Sequence, residues 1–183
     1  MRRIVELIYL LILLAPLSCM GPEINLKSIP ETDRTLFIHN FTNASFDPDV
    51  NIELADEMRR ETERRGNFIQ TKERQQAKYW LFGEITVYRK EGRMFDNYRT
   101  PIRFELIVAA RVRLQKNSAS GESDLLLSDE IAASGDYSDK EGYIETEQSA
   151  RSRVLRMLAT RINRAMDESF AARNPIPEAD RKE

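Results

Sequence analysis

Residues Ile102 to Leu114 read IRFELIVAARVRL, and they decide the fold. Every second residue from Ile102 (Phe104, Leu106, Val108, Ala110, Val112 and Leu114) is apolar, while Arg103, Glu105, Ile107, Ala109, Arg111 and Arg113 fill the other face. Side chains alternate sides along a strand, so this is a long strand with one buried face and one largely wet face, as in antiparallel sheets.

Upstream, Tyr79 to Arg89 carries the same alternation. Leu81, Gly83, Ile85 and Val87 are expected on one face, Trp80, Phe82, Thr86 and Tyr88 on the other. Glu91 to Thr100 reads as the loop joining these two strands. Asn117 to Ser123 is a second, turn-rich loop, and Leu125 to Ala133 reads as the returning strand. Thr35 to Phe41, rich in aromatic and β-branched residues, reads as a first strand, with Thr42 to Phe46 a polar connection and Asn67 to Thr71 a short further strand.

Two helices complete the pattern. Asp47-Pro48 is a helix start, with a capping carboxylate and proline in the first turn, and the helix runs to Arg65 and stops at Gly66. Val50, Leu54 and Met58 give it a narrow apolar stripe. Glu145 to Ala172 is the second helix, with a wide stripe of Val154, Leu155, Leu158, Ala159, Ile162, Ala165, Met166 and Phe170. The expected fold is α+β: a two-layer sandwich, two amphipathic helices on one face of a mostly antiparallel sheet of four to five strands.

The chain has 183 residues, enough for one domain, with 41% hydrophobic and 32% charged residues. Its formal net charge of −2 gives no bulk attraction to nucleic acid. There is one His (His39) and one Cys (Cys19), so no Cys/His zinc site and no internal disulfide can form. No phosphate loop or nucleophile elbow appears, His39 reads as a strand residue, and Glu84 and Glu105 have no catalytic spacing. No catalytic residue, metal ligand or enzymatic activity is expected.

Met1 to Cys19 (MRRIVELIYLLILLAPLSC) is different in kind: Arg2 and Arg3, then an apolar run too short to span a bilayer, then small residues before the only thiol. It resembles the signal peptide and lipobox of bacterial lipoproteins, with Pro16 where Leu is usual. That implies cleavage after residue 18 and a lipid anchor (palmitate or a similar acyl group) on Cys19, the only covalent group expected and in place of any cofactor. The mature chain has 165 residues and net charge −3. The expected organisation is a signal peptide over 1–18, a lipidated tether over 19–33, one domain over 34–172 and a flexible tail over 173–183.

From Arg89 to Arg113 seven basic residues face three acidic ones, a local charge of +4. Arg89, Lys90, Arg93, Arg99 and Arg103 are the candidate phosphate-binding residues, since guanidinium groups clasp phosphate bidentately. The bland alternative is a solvated hairpin whose charges deter edge pairing.

The export signal, the strand ending Phe41-Thr42-Asn43, the run Ala77-Lys78-Tyr79-Trp80-Leu81-Phe82-Gly83-Glu84-Ile85-Thr86-Val87-Tyr88, the regular strand and the closing helix together resemble the lipopolysaccharide-assembly lipoprotein family, LptE. Lys78 stands where that pattern commonly has Asp. The resemblance spans Leu36 to Phe170. It implies a non-enzymatic outer-membrane lipoprotein, on the periplasmic side, that plugs the lumen of the β-barrel LptD, helps it assemble and contacts lipopolysaccharide on its way to the surface. The five basic residues are then candidates for lipopolysaccharide phosphates. The alternative is a periplasmic lipoprotein module that binds and activates a peptidoglycan synthase.

Overall fold

Leu106, Val108, Ala110, Val112 and Leu114 are all withdrawn from solvent, so the decisive strand buries the face its alternation marks. In a computed structural model, which describes residues 24–117, 124–138 and 145–174, it is an interior strand of a six-stranded sheet, one place in from the edge. The strands are β1 (Thr35–Ile38), β2 (Thr42–Asn43), β3 (Ile69–Gln70), β4 (Tyr79–Phe95), β5 (Pro101–Lys116) and β6 (Asp124–Tyr137). Two helices, α1 (Val50–Arg65) and α2 (Glu147–Arg173), complete the fold. The signal peptide, Cys19, the loop after Asn117 and the tail beyond Asn174 lie outside the described residues.

The sheet order is β3-β1-β4-β5-β6, and β2 also pairs with β4. β4, β5 and β6 form an antiparallel meander, whereas β1, β2 and β3 run parallel to their partners. The sheet is therefore mixed and has six strands, where four to five mostly antiparallel ones were expected. The parallel half arises because α1 returns the chain to the start of β1 before β3 and β4 begin, as in a βαβ crossover. The sandwich itself is as expected: Leu54, Met58, Val154, Leu155, Leu158, Ile162 and Met166 meet the buried strand side chains in one core.

The expected first strand is broken. β1 stops at Ile38, and β2 resumes along the same edge of β4, at Glu84 and Ile85. Between them Phe41 turns into the core and lies on Gly83. The helix start also differs. α1 begins at Val50, after Asp49 in a left-handed conformation (φ 63°) and without a side-chain cap. Asp47 is taken up elsewhere: with Glu53 and the Pro48 carbonyl it receives the guanidinium of Arg151, which ties the start of α1 to α2. The stop at Gly66 (φ 67°) is as read.

Both long strands run past their expected ends, so the loop expected over Glu91 to Thr100 shrinks to the turn Asp96–Thr100. There the Asp96 carboxylate accepts from the Tyr98 and Thr100 amides, both at 2.9 Å. This turn defines one end of the molecule, the hairpin end. The start of the described chain defines the other, the tether end. Leu26 is fully buried, and the Asn67 side chain holds the Leu26 N–H and the Ile24 carbonyl. Part of the stretch expected as a tether over residues 19–33 thus packs on the domain, with Leu26 in the core and Ile24 and Ile29 against it. Phe68, Tyr79 and Phe170 close that end edge to face.

Candidate functional site

The face of the sheet away from the helices divides into two halves of opposite chemistry. The division falls between Phe82 and Glu84, just before a β-bulge between Ile85 and Val87. Up to Ile85 the side chains alternate as the sequence suggests. The extra residue, Thr86, then puts Val87, Arg89 and Glu91 on the open face and turns Tyr88 and Lys90 toward the helices. Tyr88 packs against the core beneath Arg151, whose guanidinium lies 5.3 Å from its ring centre. The expected grouping of Tyr88 with Trp80 and Phe82, and of Val87 with Leu81, is therefore overturned.

The bulge also divides the candidate phosphate cluster. Lys90 faces α2, donates to Glu147 at 2.7 Å and lies over the Phe104 ring. Its pKa is raised, chiefly by that carboxylate. Arg89 and Arg103 stand on the opposite face, so the five basic residues do not converge. Across the hairpin half the strand register places Glu91, Glu105 and Asp136 side by side on three neighbouring strands. Like charges so placed repel, and each has an arginine. Arg89 pairs with Glu91 at 2.8 Å, Arg93 Nε donates to Glu105 at 2.6 Å, and Arg103 lies 3.8 Å from Asp136. The Ser134 hydroxyl, and then Arg93, hold Glu105 below the usual carboxylate range. Three rows nearer the tether end, past those of Ile107 and Ala109, Glu84, Arg111 and Glu130 form a second charged row. This half-face thus has four arginines against five carboxylates. The +4 counted along one stretch of chain is offset by acids that the fold brings from other strands.

Arg99 stands apart. It sits in the hairpin turn in a left-handed conformation (φ 62°), with no carboxylate in ion-pair range among the described residues. Near it the hairpin exposes Met94, Phe95 and Tyr98, the last 90% accessible. Phe46 and Ile52, also exposed, lie before and within the first turn of α1, toward the same end.

Below Glu84 the strand side chains of the open face include no carboxylate among the described residues, and Asp33 at the rim pairs with Lys78. This tether half of the face carries Phe37, His39, Trp80 and Phe82, with Arg113 from β5 and Arg74 from the turn before β4. His39 stacks on Phe82 with ring centres 4.0 Å apart and meets Phe37 edge on at 4.8 Å. Burial, and then nearby Arg74, lower its pKa, so it acts at neutral pH as an uncharged aromatic. Arg74 lies over Trp80 at 4.2 Å, and Arg113 lies 5.8 Å from the Phe82 centre. Trp80 and Phe82 were legible as a pair. Arg74 and Phe37 come from other elements, and no spacing marks them. Beside β1 a groove of about 800 Å³, lined among others by Phe37, His39, Arg59 and Phe68, occupies the edge that two-residue β3 leaves uncovered.

No group of three His, Cys, Asp or Glu is placed to hold a metal among the described residues, and no described helix is long and apolar enough to cross a membrane.

The fold has solved counterparts. A hypothetical protein from Chlamydia trachomatis matches with TM-score 0.57 at 10% identity, over 75% of this chain and 98% of its own. A protein from Xanthomonas campestris matches with TM-score 0.54 at 11% identity, over 86% and 99%. Rare lipoprotein B from Shewanella oneidensis matches with TM-score 0.50 at 13% identity, over 76% and 98%. At such identities the likeness is one of fold. No curated protein matches the sequence. The family model described as "LptE: Lipopolysaccharide-assembly" matches residues 34–166, most of the chain and both layers of the sandwich. This chain belongs to the LptE lipopolysaccharide-assembly family, a family of non-enzymatic lipoproteins.

Proposed function

We propose that the protein is an outer-membrane lipoprotein, anchored through Cys19 on the periplasmic side, that plugs and helps assemble the β-barrel LptD and assists lipopolysaccharide insertion at the cell surface. Family membership supports the assembly role. The observation that carries the finer reading is the opposition of the two ends. The described chain begins at the tether end, at Ile24 beside Asn67. The five residue-to-residue steps from Cys19 to Ile24 span at most about 18 Å. The sixteen residues of β5 carry the hairpin turn about 50 Å away. That length exceeds the ~40–45 Å of a bilayer with its headgroups. A body held at the inner leaflet and lodged in a barrel lumen would thus present Met94, Phe95, Tyr98 and Arg99 near the outer surface. The mixed acid–arginine half-face suits a polar lumen.

Within this reading the phosphates of lipopolysaccharide are met at the hairpin by Arg99, with Arg89, Arg93 and Arg103 able to exchange carboxylate for phosphate; Lys90 is excluded by its position. A photo-reactive residue in place of Tyr98 tests the plug directly. In intact outer membranes it should cross-link to the large barrel. Capture of periplasmic proteins alone would overturn the reading. Charge reversal at Arg93 and Arg99 should weaken lipopolysaccharide binding in vitro, and unchanged binding would move that site elsewhere. The alternative of a peptidoglycan-synthase activator has no support in the family match or among the fold counterparts.

A further inference from the structure

We infer that the tether half of the open sheet face is a seat for an anionic phospholipid surface, which lays the domain on the membrane that holds its anchor. Two guanidiniums, Arg74 and Arg113, lie against aromatic faces with no carboxylate in ion-pair range among the described residues. The strand side chains around them, Phe37, His39, Trp80 and Phe82, include no acid; the neighbouring carboxylates are Glu84, next along β4 and paired with Arg111, and Asp33 at the rim, paired with Lys78. An arginine spread on an aromatic ring keeps its N–H edge free for phosphate. Tryptophan and basic side chains together are the composition that settles at the headgroup level of a bilayer. Position selects the occupant. If Cys19 is the anchor, the chain between it and Ile24 holds this end within about 18 Å of the lipid. A soluble anionic partner would gain nothing from that placement. The acidic rows beyond Glu84 are repelled by the same surface, so the seat has a direction: tether half down, hairpin end away.

The inference rests on the proposed anchor but not on the barrel, and its test reads neither. Trp80 is the only tryptophan in the chain and lies within the seat. The full chain, purified from membranes, is reconstituted into vesicles with brominated acyl chains, of phosphatidylcholine alone or mixed with phosphatidylglycerol. Trp80 emission should shift to the blue and be quenched more strongly in the phosphatidylglycerol vesicles, and raising the salt should reverse the difference. Charge reversal at Arg74 and Arg113 should lower the seated population about fivefold per arginine. If the variants do not unfold at the wild-type midpoint, the salt titration of the unaltered chain decides. Equal emission in the two vesicles at low salt would overturn the inference. So would a response to lipopolysaccharide-containing vesicles with none to phosphatidylglycerol. A mass measurement showing no acyl group at Cys19 would remove the anchor while leaving the vesicle result to stand on its own.

Discussion

Phe41 lies across Gly83 so closely that a Cβ at position 83 would stand 2.4 Å from its ring. The ring is buried and cannot swing away. The contact explains why the first strand breaks: after the His39 N–H has donated to the Leu81 carbonyl, residues 40–41 leave the ladder so that an aromatic ring can fill the space a glycine provides. Gly83→Ala should cost about 1–3 kcal/mol through overpacking. Phe41→Leu in the same chain should recover part of that loss, because the smaller side chain vacates the Cβ position. Urea unfolding of the two single variants and the double variant measures the coupling, and strictly additive losses would show that the contact does not set the strand break.

Asp167 is the buried carboxylate between the helices. Its side chain is 4% exposed; Arg65 Nη1 donates to one oxygen at 3.1 Å, and the other has no hydrogen-bond partner among the described residues. Burial pushes its pKa up to about 6, against the opposing pull of Asn67 and Arg65. The folded state therefore holds this proton more tightly than the unfolded chain does. The stability it contributes is complete below about pH 4 and is lost as pH rises through about 6. Asp167→Asn should abolish this slope and raise stability at pH 7.5 by on the order of 1–3 kcal/mol. Unfolding free energies from pH 4 to 8 for both proteins check the sign.

The fourteen-residue edge strand β6 is guarded from the helix layer. Arg153 donates to the Asp136 carbonyl at 2.9 Å, Arg161 to that of Ala132 and Arg173 to that of Leu125. Open strand edges template association, and three guanidiniums spaced along α2 occupy acceptors that a second strand would use. Replacing all three with alanine should cost about 2–4 kcal/mol and give concentration-dependent dimers in sedimentation velocity. A monomer at all concentrations would mean the strand's twist alone protects it.

The layers of this fold were legible from two periodicities, 2 along β5 and 3.6 along α2, because each signals a single buried face. What stayed hidden came from contacts between distant parts of the chain. The bulge at Thr86 leaves no mark in local sequence, yet it turns Tyr88 and Lys90 to the opposite side. The basic stretch from Arg89 looked uncompensated because Asp136 and Glu130 arrive from another strand, and Glu105 meets Arg93 only through the hairpin register. Phe37 joins Trp80 and Phe82 through the parallel pairing of β1 with β4, and Arg74 is brought over Trp80 by the turn before β4, where the indole N–H donates to the Arg74 carbonyl; no hydrophobic pattern announces either. Leu26 stands with Ile24 and Ile29 in a stretch too short to show a period, and only the packed structure shows it as core.

Partnership with a barrel is the central claim, and co-purification tests it most directly. The lipidated chain, tagged at its C-terminus and extracted from outer membranes in mild detergent, should bring with it the large LptD β-barrel in near-equal amount, and Arg74/Arg113 charge reversal should leave that yield unchanged. Recovery of a peptidoglycan synthase with no barrel would contradict the account.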